Sequence, residues 1–198
     1  MFRTFASVIA ALALLIPAVA FAHTDQGATA GFAHGFAHPI FGIDHVLAMV
    51  AVGLFAGQLG GRALWLVPAA FVGVMAGGGA LGVAQVAIPA VEVGIALSVV
   101  VLGAAVAFRL KASVALAMAL VGVFAVFHGH AHGTEMPETA AGVAYGVGFM
   151  LATALLHGAG IGLGYIAANL ADAKGALVVR GVGGAMSVFG LVILAGAI

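Results

Sequence analysis

Six apolar runs, each near the length needed to cross a bilayer, take up most of this chain and leave little from which a water-facing surface could be made. The runs are expected at about 39–59, 63–83, 89–108, 112–131, 139–169 and 177 to the end. The fifth exceeds a single crossing and is expected to tilt or to break at glycine. Only 6% of the residues are charged, against roughly a quarter in a soluble domain. The expected fold class is therefore all-α: a polytopic bundle of six transmembrane helices with the lipid bilayer as its solvent. The 31 glycines allow close approach of helix backbones in such a bundle. No cysteine is present, so imidazole and carboxylate are the main groups that could hold a metal. A formal net charge of zero gives no reason to expect a nucleic-acid partner.

Residues 1–22 have the pattern of a cleaved signal peptide: Arg3, an apolar core from Val8 to Ile16, and the small-x-small site Ala20-Phe21-Ala22. An uncleaved signal anchor is the alternative. Cleavage after Ala22 would leave 23–198 as one six-helix transmembrane domain and would put His23 at the new N-terminus, where amine and imidazole together could chelate a metal. Residues 23–37 are expected as a polar lead-in, with the first helix starting near Pro39, a residue suited to a first helical turn. Arg62, Arg109, Lys111, Lys174 and Arg180 all fall in connections on one side, which the positive-inside rule makes cytoplasmic. His34, His38, Glu135 and Glu138 fall on the other side. The N-terminus is thus expected in the periplasm and the chain in the inner membrane as a multi-pass protein.

Ionisable groups are costly in such a chain and usually serve function. His38 and His45, seven apart, would share a face of one helix, with Asp44 displaced by about 100° near the same mouth. His128, His132 and Glu135 follow i, i+4, i+7 spacing and would share a face of another. His130 falls off that face unless Gly129 and Gly133 break the helix. If the two helices are adjacent, the clusters could converge. Asp44 could itself bind a metal, or orient His45 from behind. The segment 128–133 could instead be a solvated loop, and lone interfacial histidines such as His34 are commonly just polar residues at headgroup level. Glu92, near the outer end of the third helix, is within reach of the clusters or else an interfacial carboxylate. His157, deep in the fifth run, is a ligand on an inward path or a side chain bonded to a neighbour, with Gly158, Gly160, Gly162 and Gly164 after it able to open space. Met49, Met75, Met118, Met150 and Met186 are expected to face lipid or to pack rather than to bind.

The motifs His38-x5-Asp44-His45 and Phe127-His128-Gly129-His130-Ala131-His132-Gly133-Thr134-Glu135, with Val91-Glu92-Val93-Gly94 between them, resemble those of the HupE/UreJ family. These are nickel permease-like accessory proteins of hydrogenases and ureases. The resemblance runs over nearly the whole chain, signal sequence included. Nickel/cobalt transporters have a similar His-Asp-His arrangement, but with four residues before the Asp-His pair. The HupE/UreJ resemblance implies a permease, not an enzyme, moving Ni²⁺ through the inner membrane for hydrogenase or urease maturation. It carries His38, Asp44, His45, His128, His132 and Glu135 over as functional residues; His130, Glu92, His157 and His23 are further candidate ligands on the reading of the residues themselves. No prosthetic group is expected; the metal is cargo. The donor set would also accept Zn²⁺, Co²⁺ or Cu²⁺. Self-association into a homo-oligomer stays open. Imidazoles bind metal only when neutral, so uptake should fall as the outside turns acidic. A membrane metal sensor or buffer is the alternative, followed by an intramembrane zinc hydrolase, against which no serine is expected at the outer cluster.

Overall fold

The computed structural model describes residues 28–136 and 140–197. The expected signal peptide, its cleavage site, His23 and Glu138 lie outside the described residues. Among these residues every regular element is an α-helix: α1 (Ala28–Phe41), α2 (Ile43–Leu59), α3 (Ala63–Val83), α4 (Val91–Ala107), α5 (Val114–Thr134) and α6 (Ala140–Ala197). Four stretches are long and apolar enough to cross a bilayer: Ala63–Val83, Val114–Thr134, Ala141–Ala167 and Gly175–Ala197. The stretches Gly31–Phe41 and Ile43–Leu59 pass that test only as one broken span, bent by 79°. α4 is shorter, 17 residues.

The first helix departs from expectation. In place of a lead-in as far as residue 37, α1 starts at Ala28, and Pro39 lies inside it rather than in its first turn. Tertiary packing accounts for this, since short helices gain most of their stability from the surface they dock on. Gly31 and Gly35 bring α1 against the backbone of Ala141 and Tyr145 at the start of α6. Pro39 cannot donate to the helix ladder, and Gly42, at φ −82° and ψ 108°, ends α1. The chain then turns into α2.

α6 holds two membrane-length stretches with opposed partners. Its first half follows α1 and α2 in the same direction, Gly35 beside Tyr145 and Gly53 beside Gly160. Its second half runs against α4: Gly183 meets Ala107, Gly190 meets Val100, and Ser187 Oγ donates to the Val100 carbonyl at 2.8 Å. α2 and α4 run the same way, tied by Gln58 Nε2 donating to the Val106 carbonyl at 3.0 Å. The two halves of α6 are therefore antiparallel to each other, which matches the fifth and sixth runs expected from the sequence.

α3 and α5 make the most extensive helix–helix contact among the described residues, lined by small residues. A Cβ on Gly129 would lie 2.8 Å from the Gly79 nitrogen, and one on Gly133 2.9 Å from Gly79 Cα. The glycines of the histidine motif are thus crossing points for a neighbouring backbone. They do not break α5, which stays helical to Thr134. At the far end, Gly60 and Gly61 turn α2 into α3 with φ of +69° and +52°, the left-handed region open to glycine. Arg62 and Arg109 stand at this end, and Arg180 Nε donates there to the Ala107 carbonyl. Asp44, Glu92, Glu135 and the histidine motifs stand at the opposite end. Between them lies a core around Phe55, Phe71, Met49, Met75 and Leu102, while Trp65, Phe108, Val143 and Val192 face outward, as in a lipid-facing surface.

Candidate metal centre

The bend at Gly42 shapes the centre. Because residue 42 has no side chain, Asp44 can fold back over the start of α2; a Cβ there would sit 3.1 Å from Asp44 Oδ1 and 3.2 Å from His45 Nδ1. Asp44 Oδ1 accepts from the His45 backbone N–H at 2.8 Å and from His45 Nδ1 at 3.0 Å. A carboxylate only accepts, so the His45 hydrogen is on Nδ1 and the Nε2 lone pair is left free. That lone pair points at His132 Nε2, 2.5 Å away. Two imidazole nitrogens this close share a hydrogen: His132 Nε2 donates and His45 Nε2 accepts, and a metal with bonds of about 2 Å to each nitrogen would have to part them.

α5 presents the other ligands on one face. His128, His132 and Glu135 point toward α1 and α2, while Gly129 and Gly133 point toward α3. α2 and α5 scarcely touch through their backbones, and it is the imidazoles that span the gap. His128 is fully buried, and its tautomer is set by Ser98 of α4. The Ser98 hydroxyl donates to the Ile95 carbonyl at 2.6 Å, so its oxygen accepts from His128 Nε2 at 2.9 Å. The hydrogen is then on Nε2, and His128 Nδ1 is a buried lone pair with no partner among the described residues. Ser98 thus stands at the cluster where no serine was expected. A single serine in an apolar run carries no sequence signal for such a role.

Nearer the surface, Glu135 Oε2 lies 3.5 Å from both His38 Nε2 and His132 Nδ1. His38, His132 and Glu135 offer three ligand atoms within 4.8 Å of one another, close enough to surround one ion. His132 belongs to both this outer trio and the inner pair with His45. The rings form a column: His38 to His132 at 4.7 Å between centroids, His132 to His45 at 4.4 Å, and His45 to His128 at 4.6 Å. Below His128 stands Phe71 at 5.7 Å, and on its other side His157 at 5.1 Å. His157 is buried with both ring nitrogens unpartnered among the described residues. Phe149 packs against His132 at 4.1 Å and screens the column from the apolar side. Tyr145, its hydroxyl buried and without a hydrogen-bond partner among the described residues, stands edge-on to His38 and His34. Phe71, Phe149 and Tyr145 are further residues of the site that the sequence did not single out. Aromatic residues in apolar runs look like ordinary core.

The structure thus brings together His38, Asp44, His45, His128, His132 and Glu135, with His157 continuing the line inward. His130 points elsewhere: its Nε2 donates to the Val86 carbonyl at 2.7 Å, on the side of the α3–α4 connection. Helical continuity through Gly129 and Gly133 is the reason, since residue 130 is turned away from 128 and 132 by the ordinary helical twist. Glu92 is exposed in the first turn of α4 and has no hydrogen bond or ion pair among the described residues. His34 is exposed at the rim. Gly160, expected to open space below His157, is instead a contact with the Gly53 backbone, whereas Gly158 and Gly162 have nothing within 4 Å of where a Cβ would be.

Comparison with known proteins finds a family and a relative that match this chain. The family described as "HupE / UreJ protein" matches residues 10–193. The chain is also similar to "Protein HupE" of Rhizobium leguminosarum bv. viciae, at 48% identity over 185 residues, covering 93% of this chain and 94% of that one. No solved structure matches the chain.

Proposed function

The chain belongs to the HupE/UreJ family, and from that premise we propose that it is an inner-membrane permease for a divalent transition-metal ion, Ni²⁺, supplied to hydrogenase or urease maturation. The observation that carries this proposal is the column of imidazoles from His38 to His157, which leads from one end of the bundle into its core. In this proposal α1 and α2 form the first of six crossings, α4 is one of the other five, and the mature N-terminus is outside. The basic end at Arg62, Arg109 and Arg180 faces the cytoplasm by the positive-inside rule.

The ion would be captured by His38, His132 and Glu135 and passed to His45 and His128, trading water for imidazole at each step. Asp44 and Ser98 hold the tautomers of the inner pair, so that lone pairs rather than N–H groups meet the cation. Phe71 stands between His128 and His157, so passage to the inner imidazole requires that ring to move. Conduction needs ligands strong enough to replace hydration and weak enough to release. A hydrolase would gain nothing from an imidazole beyond Phe71, and a sensor would need no inward path.

The test is uptake of radioactive nickel into sealed proteoliposomes of the purified chain, beside His45→Ala and His128→Ala, with zinc, cobalt and copper as competitors. Saturable uptake lost in both variants is expected. Tight binding without accumulation inside would refute the permease and leave a sensor or buffer.

A further inference from the structure

At the end of the bundle opposite the histidine motifs lies a cavity of about 950 Å³. Gly57 and Gln58 of α2 and Gly158, Ile161 and Gly162 of α6 are among its lining residues, and Arg109 stands at its edge. Gly158 follows His157 directly, and Ile161 is one turn further along α6. His157 itself is not among the lining residues, but Gly158, the next residue of α6, is, so the cavity reaches to within one turn along α6 of the column's inner end. Gly158 and Gly162 leave its wall open on that side, with nothing within 4 Å of where a Cβ would be.

Gln58 is a polar side chain of the cavity lining that a hydrogen bond holds in one orientation. Its Nε2 donates to the Val106 carbonyl at 3.0 Å, which ties the amide to α4. With the nitrogen fixed, the oxygen has no freedom to rotate toward another donor. Oε1 is buried and has no hydrogen-bond partner among the described residues. An unpaired buried acceptor is costly, on the order of 1–3 kcal/mol, and such exceptions call for an explanation.

We infer that Gln58 Oε1 is an oxygen ligand for the metal ion on the cytoplasmic side of His157, the last protein group the ion meets before the cavity. This inference rests on the permease proposal for its direction of flow. A neutral amide oxygen is a weak ligand for a nitrogen-seeking divalent ion. It can replace one water as the ion leaves His157 without holding it, as release requires. The guanidinium of Arg109, exposed at the same opening, disfavours a resident cation and so favours departure into water.

The experiment compares wild type, Gln58→Leu and Gln58→Glu in the nickel-uptake assay, with circular dichroism to show that each variant folds. Gln58→Leu is expected to lower the maximal rate roughly tenfold, the lower end of what loss of a supporting group at a metal site costs. The half-saturating nickel concentration, set by the outer cluster, should stay within about twofold of wild type. Gln58→Glu replaces a weak ligand by a strong one and should trap the ion. In a chain that also carries His45→Ala and His128→Ala, it should retain an additional Ni²⁺ in equilibrium dialysis against nickel chloride. A wild-type maximal rate in Gln58→Leu, or a parallel change in both kinetic parameters, overturns the inference while leaving the permease standing. If wild-type vesicles take up no nickel, the permease proposal falls, and the dialysis decides Gln58 alone: an ion gained with Gln58→Glu keeps it as a metal-facing group, and none gained discards it.

Discussion

Replacing Asp44 by asparagine tests whether the carboxylate acts through His45. Asp44 Oδ1 takes two hydrogen bonds from His45, at 2.8 Å from the backbone N–H and 3.0 Å from Nδ1. Its side chain is 26% exposed and that of His45 only 7%, so the bond is partly shielded from water. Asparagine keeps the shape but removes the charge, and it can turn its amide N–H toward Nδ1. The hydrogen of His45 would then move to Nε2, the atom that faces His132, and the lone pair would be lost to the metal. Loss of one charge-assisted hydrogen bond costs about 1.5–3 kcal/mol, and such orienting groups usually change metal affinity by about tenfold to a hundredfold. Nickel affinity of the purified chain, measured by equilibrium dialysis, should weaken by that factor. His45→Ala should weaken it at least as much, and adding Asp44→Asn to His45→Ala should change little further, because both changes remove the same lone pair. Additive effects in that double-mutant cycle would refute the reasoning and make Asp44 a metal ligand in its own right.

Other expectations follow from the same geometry. Ser98→Ala should weaken nickel binding about tenfold by releasing the His128 tautomer, with Ser98→Thr recovering most of it; equal losses in both would point to packing instead. Gly133→Val puts a Cβ 2.9 Å from Gly79 Cα and should lower stability by about 1–3 kcal/mol through overpacking, read as a lower unfolding temperature in detergent. Gly42→Ala should weaken nickel binding while leaving the unfolding temperature nearly unchanged, since its Cβ would press on Asp44 and His45 rather than on another helix. His130→Ala should leave the half-saturating nickel concentration within about twofold of wild type, and a loss like that of His128→Ala would contradict its outward orientation.

Much of this protein could be read without coordinates. Long apolar runs in lipid have few options besides helix, so the all-α class follows from the sequence, as do helix ranges close to 43–59, 63–83 and 91–107. The i, i+4, i+7 spacing of His128, His132 and Glu135 places them on one face because helical periodicity is local. The family was equally legible, in the two histidine motifs.

What the sequence could not supply depends on neighbours distant along the chain. Helix α1 forms because Gly31 and Gly35 find the backbone of α6, a contact invisible in the local composition of residues 28–37. The glycines of the histidine motif could have been breaks or crossing points, and Gly79 in α3 decided between them. The hydrogen positions on His45 and His128 depend on Asp44 next door in sequence and on Ser98, thirty residues away in α4. Residue type and spacing therefore determined which groups could bind a metal. Packing determined which lone pairs are free to do so, because a tautomer is fixed by its partner and partners are chosen by the fold.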